Sequence, residues 1–172
     1  MTLKQGCRMK THKLIYTALL TAMSLVTFVI EASIPPLTPI YGIKLGLSNI
    51  FTLFALYAIG KKEAFALLVI RITLGNIMTG QLMAFAYSLA GGLLSFAVML
   101  LLTKFITTKQ LWVTSAISAV FHNIGQIAVA VLITQTPQIA YYLPILIISG
   151  VITGVFTGLC AQFVLQRLKR SS

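Results

Sequence analysis

Apolar runs of spanning length alternate with short polar connections along the whole chain, lying near 14–34, 44–60, 63–80, 82–103, 111–133 and 140–165. About twenty predominantly apolar residues in helical form are needed to cross the hydrocarbon core. The pattern therefore predicts six transmembrane helices. The second and third runs are short, which predicts thin, tilted or partly re-entrant segments. Three connections lie on one side: 35–43, the turn around Gly80 and Gln81, and 134–138. Pro35, Pro36 and Pro39 make the first of these stiff and extended, because each proline fixes φ and removes a backbone donor.

Charge adds an orientation to this pattern. Eleven of the thirteen Lys and Arg residues fall in four patches: Lys4, Arg8, Lys10 and Lys13; Lys61 and Lys62; Lys104 and Lys109; Arg167, Lys169 and Arg170. Basic loops are retained on the cytoplasmic side. Placing all four patches there requires two crossings between each consecutive pair, which again gives six helices with both termini cytoplasmic. The expected fold class is an all-α integral membrane protein, a six-transmembrane-helix bundle forming one domain over 1–172. A basic tail is expected over 1–13, the bundle over 14–165 and a second basic tail over 166–172.

Composition agrees, with 58% hydrophobic and 9% charged residues and a mean hydropathy of +0.97, against a norm of about 25% charged for soluble domains. The net charge of +11 is not that of a nucleic-acid binder, since the bases flank spanning segments instead of covering a folded face. Cys7 falls in a cytoplasmic tail and Cys160 within the last span, so neither a disulfide nor a metal pair is expected. The first run is too long for a signal-peptide core, and Glu31, Ala32 and Ser33 make a poor cleavage site. It reads as a retained helix. The chain carries no nucleotide-binding loop, so nothing in it supplies energy for transport.

Small residues mark close helix contacts, because they let backbones approach in lipid. Gly150, Gly154 and Gly158 recur on one face of the sixth span, Gly91 and Gly92 lie in the fourth, and Ala18 and Ala22 form a pair in the cytoplasmic half of the first. Packing within the bundle is the simpler reading of the glycines, and a partner interface the other.

Ionisable groups within a bilayer are expensive and each implies a role and a partner. Counting at about 1.5 Å per residue puts Arg71 roughly 12 Å into the third span, near the midplane, and Glu31 near the outer end of the first. Asn49, Asn76, Tyr87, His122, Asn123 and Gln126 fall from the middle to the outer half of their spans, with Lys44 and Gln81 in outer connections. The inner halves hold little beyond Ser, Thr and Gly. Polar groups confined to one leaflet are expected to line a pocket open outward over an apolar floor, which is a receptor shape and not a pore. Arg71, Lys44 and His122 against Glu31 favour an anionic ligand. Arg71 is the candidate anion contact, because its guanidinium matches carboxylate or phosphate oxygens in a bidentate way. The apolar remainder suits a hydrophobic body. Simpler roles stand beside these: Arg71 as an ion-pair partner of Glu31, His122 and Asn123 as interhelical hydrogen-bonders, Tyr141 and Tyr142 as an interfacial belt.

The stretch IPPLTPIYGIKLGLSN from Ile34, RITLGNIMTGQ from Arg71, YSLAGGLLS from Tyr87, FHNIGQ from Phe121 and YYLPILIISGVITG from Tyr141 resemble, in order, the Gx transporter family, commonly labelled heptaprenyl diphosphate synthase component I. That family in turn resembles the S-components of energy-coupling factor (ECF) transporters. The resemblance implies a multi-pass protein of the bacterial plasma membrane that binds a small molecule. It also implies a membrane coupling subunit with ATPases as partner, docking at Ala18 and Ala22. The label implies a different partner, a soluble prenyl synthase. Prenyl diphosphate synthases hold substrate through magnesium on aspartate-rich motifs, and hard cations need oxygen ligands. This chain has no aspartate, and its two glutamates, Glu31 and Glu63, are expected on opposite sides of the membrane. No catalytic residue, metal site or cofactor is therefore expected. Two functions follow as expectations: the substrate-binding membrane subunit of an ECF-type importer for a small anionic, partly hydrophobic molecule, or a non-catalytic membrane component associated with heptaprenyl diphosphate and menaquinone side-chain synthesis.

Overall fold

The computed structural model describes residues 2–33, 46–80 and 82–171, with side chains over 11–33, 46–80 and 83–168. Among these residues the chain is helical with no strand: α1 (Thr2–Ser33), α2 (Asn49–Ala58), α3 (Lys61–Thr79), α4 (Leu82–Leu102), α5 (Leu111–Thr134) and α6 (Leu143–Ser171). Short 3-10 segments at Thr108–Gln110 and Pro137–Tyr142 lead into α5 and α6. Four stretches are long and apolar enough to cross a membrane: Thr11–Ser33, Met83–Leu102, Thr108–Thr134 and Pro137–Leu168.

The helices differ from the expected runs in three ways. The helical part of the second run is ten residues, about 15 Å, half of what the hydrocarbon core requires. The third has the length but carries Lys61, Lys62, Glu63 and Arg71 within the helix. At the chain's start α1 runs on from Thr2, so the basic segment expected as a tail is continuous with the first helix. Gly80 stops α3 in the left-handed conformation (φ 65°), its N–H donating to the carbonyls of Asn76 and Ile77.

The outer surface is apolar, unlike that of a water-soluble bundle. On α1 the buried positions are Thr21, Ser24, Phe28 and Glu31, at alternating three- and four-residue spacing, while Leu19, Met23, Val26 and Ile30 on the other faces are exposed. Exposed Leu132, Ile148, Ile152, Phe156 and Phe163 continue this apolar surface on α5 and α6. Such a surface suits hydrocarbon as solvent and leaves the polar groups to find partners inside.

The centre of the bundle is α5, packed on α4 and α6. The glycine stripe of α6 faces it: a Cβ on Gly154 would lie 2.7 Å from Ala116 Cα, and one on Gly158 would lie 2.5 Å from Trp112 Cα. Ser115 and Thr157 hydroxyls add a 3.1 Å hydrogen bond across the same seam. Gly91 of α4 meets α5 at Gly125 in the same manner. These glycines serve packing within the bundle. An apolar cluster of Leu53, Leu56, Leu67, Leu68, Ile72, Phe96, Met99, Leu111 and Leu165 fills the half nearer Lys62, Lys104 and Lys109.

Candidate functional site

Five segments bring polar groups together at the other end of the bundle. Glu31, 5% exposed on α1, accepts hydrogen bonds from the backbone N–H groups of Gly46 and, at 3.3 Å, Leu47. Ser48 donates to its second carboxylate oxygen at 3.5 Å. Arg71 reaches the same place from α3 with 2% exposure; one terminal nitrogen donates to the Ser48 hydroxyl and the other to the Asn49 side-chain carbonyl at 2.9 Å. Ser48 therefore bridges the two charges. An ion in a low-dielectric interior needs a counter-charge and hydrogen bonds; Glu31 and Arg71 face one another across Ser48, and Gly46, Leu47, Ser48 and Asn49 supply the hydrogen bonds.

Gly46 carries the closest approach at the site. Its φ of 79° is left-handed, and a Cβ there would lie 3.2 Å from both Asn49 Nδ2 and His122 Cδ2. Without that side chain the backbone N–H can face Glu31 while His122 of α5 comes alongside. Phe28, Glu31, Gly46, Ser48, Arg71, Ile72, Ser88 and His122 enclose a cavity of about 10 Å³, roughly the room one water needs.

Several polar atoms around this centre are buried without a hydrogen-bond partner: Arg71 Nε, Asn49 Nδ2, Ser88 Oγ, and both side-chain polar atoms of Gln126. Gln126 is fully buried on α5, one turn from His122, with both side chains against Gly91. Unmet donors and acceptors at this density are costly in a dry interior. They are the feature of the site that a ligand or ordered water would relieve.

Not every expected residue joins this centre. Asn123, next to His122, turns away and donates to the Leu146 carbonyl beside Gly150 of α6. This is the interhelical hydrogen bond expected as its simpler role, and its carbonyl oxygen has no partner. Tyr87 is 2% exposed within a second apolar cluster with Ile127, Ala130, Ile139 and Leu146, so it packs and does not line the cavity. Asn76 donates to the Ile72 carbonyl one turn back on its own helix; its oxygen is buried and unpartnered. Lys44 and Gln81 lie outside the described residues. Tyr141 is exposed in the 3-10 segment that leads into α6. Among the described residues the polar groups enclose a tight cavity, with Ser48 and Asn49 occupying the guanidinium.

Sequence reading missed Gly46, Ser48 and Ser88. The available signal was the dipeptide Ser48-Asn49 ahead of an apolar helix, a pair whose side chains both offer acceptors to a buried cation.

Ala18 and Ala22 are exposed on α1, on the flank where a groove of about 650 Å³ separates it from α3. Among the described residues no group of three or more His, Cys, Asp or Glu could hold a metal ion.

An all-helical chain with apolar outer faces, four membrane-capable helices and buried charges facing one another inside is a membrane protein with an internal polar centre. The chain belongs to the family described as heptaprenyl diphosphate synthase component I, whose model matches residues 20–164. The matched span runs from within α1 to near the end of α6 and includes every described residue of the polar centre. No curated protein and no solved structure matches the chain.

Proposed function

We propose that this protein is a non-catalytic, six-span subunit of the bacterial plasma membrane that binds a small anionic, partly hydrophobic molecule and hands it to a partner, with both termini cytoplasmic. The observation that carries this reading is the buried guanidinium of Arg71, whose Nε is unmet and which shares one cavity with Glu31, Ser48, Ser88 and His122. Arg71 is the anion contact, with Asn49, His122 and Gln126 beside it; Glu31 and Ser48 position it. Lys44, Asn76 and Gln81 are candidate further contacts. Ligand entry requires the Ser48 and Asn49 contacts to open, exchanging them for ligand oxygens.

In the first form of this reading the partner is an ECF-type coupling module with its ATPases. Ala18 and Ala22 support it: both are exposed on α1, so a partner helix can approach closely there without disturbing the bundle. Native mass spectrometry of the purified protein tests ligand binding directly. A small anion should accompany the wild type and be absent from Arg71→Lys, which keeps the charge and loses the two-pronged geometry. Loss of the fold together with the ligand would instead mark Arg71 as structural.

The family match favours a second form, in which the partner is a soluble prenyl synthase and the bound molecule a prenyl diphosphate. Adding this protein in lipid to such a synthase should raise its rate or lengthen its products. Unchanged products, with normal quinone side chains in a deletion strain, would remove this form.

A further inference from the structure

The groove between α1 and α3 lies apart from the polar centre. Phe28 packs against Gly75 where the two helices touch, and on the basic side of that contact the helices leave a trough of about 650 Å³, within the roughly 300–1,000 Å³ typical of small-molecule sites. Its walls are Leu14, Ala18, Ala22 and Leu25 on one helix and Ala66 and Ile70 on the other, and Lys13, Lys62 and Glu63 stand at one end. From Lys13 to Leu25 it is about 18 Å long at helical rise, close to the ~15 Å depth of one leaflet's hydrocarbon.

We propose that this groove binds a single-chain prenyl diphosphate from the cytoplasmic leaflet, its chain lying along Ala18, Ala22 and Ala66 and its diphosphate held by Lys13 and Lys62. The arrangement is amphipathic in the order such a molecule needs: two ammonium groups at the membrane surface, then an apolar trough running inward and open to lipid along its side. Glu63 shares this end, its carboxylate lying against Gly60 at the N-terminus of α3, and the two lysines leave the end net positive. A trough between two helices takes one chain, whereas a phospholipid brings two. The choice of a prenyl chain rests on the synthase-partnered form of the function proposed above; the groove and its charged end do not. The same alanines serve the proposed coupling-module contact, so chain and partner helix exclude one another there.

The full chain in nanodiscs of zwitterionic lipid, titrated with farnesyl diphosphate as probe, tests this. Lys13→Glu with Lys62→Glu should weaken binding about tenfold or more, Ala66→Phe should weaken it by filling the trough, and Lys109→Glu, at the same end but outside the groove, should leave it unchanged. Equal binding in the first two variants overturns the proposal. So does inorganic diphosphate binding as tightly as the probe, or displacement of the probe by phosphatidylglycerol at equal mole fraction. Binding that instead follows Arg71→Lys would place the ligand in the bundle centre, overturning the groove while leaving the proposed function standing.

Discussion

Arg71 and Glu31 are held one hydroxyl apart: Ser48 accepts from the guanidinium and donates to the carboxylate at 3.5 Å. Each charge depends on the other through that residue, and removing one strands its partner in a dry interior. Arg71→Met is expected to destabilise the protein by about 3–5 kcal/mol. Adding Glu31→Gln should recover part of that loss, and a double-mutant cycle of unfolding in mixed micelles checks it. Strict additivity would mean that the charges are uncoupled.

The α5–α6 seam gives a second prediction. Gly154→Val would drive methyl groups into Ala116 and the Ser115 carbonyl, which are backbone neighbours that cannot rotate aside. A cost of about 1–3 kcal/mol is expected, against little change for Ile152→Ala on the exposed face of the same helix. Thermal melting in detergent compares the two.

Ala18→Leu with Ala22→Leu separates surface from core. Both positions are exposed, so stability should change by no more than about 0.5 kcal/mol. Association with a coupling module and substrate uptake should nevertheless fall. Unchanged association would remove the docking role.

Topology is open to direct test with single cysteines in a Cys7→Ser, Cys160→Ser background. Lys61→Cys and Lys109→Cys are expected to react with an impermeant reagent only from the cytoplasmic side, and Gln138→Cys only from outside. Labelling of Lys61→Cys and Gln138→Cys from the same side would exclude the six-span arrangement.

How much of this was legible beforehand follows from what a helix count measures. Rise along the axis gives depth, and it put Arg71 near the midplane and Glu31 near the outer end of its span, whereas Ser48 brings the two together. Depth says nothing of direction. Successive residues on a helix point about 100° apart, so His122 and Asn123 face different neighbours: His122 shares a face with Gln126, four residues on, and Asn123 looks at α6. Attention to that angle would have separated them, and would have questioned Tyr87. The clamp on Glu31 was beyond reach, since the N–H groups of Gly46 and Leu47 carry no side-chain signature and depend on where the chain before α2 comes to rest. The short α2 was half visible, as a run flagged for its length. Nothing in its composition marked where helix would give way to the turn that serves the site.

Of the four membrane-capable stretches, the one in α1 is the least covered by protein, and that helix also carries Glu31 toward its far end. A helix held mostly by lipid adjusts its tilt when the hydrocarbon thickness changes, at a cost of only fractions of a kcal/mol per Å of mismatch. Thicker or thinner bilayers should therefore pull on the carboxylate's grip of the chain ahead of α2, making lipid composition itself a control on how readily the bundle's charged centre opens.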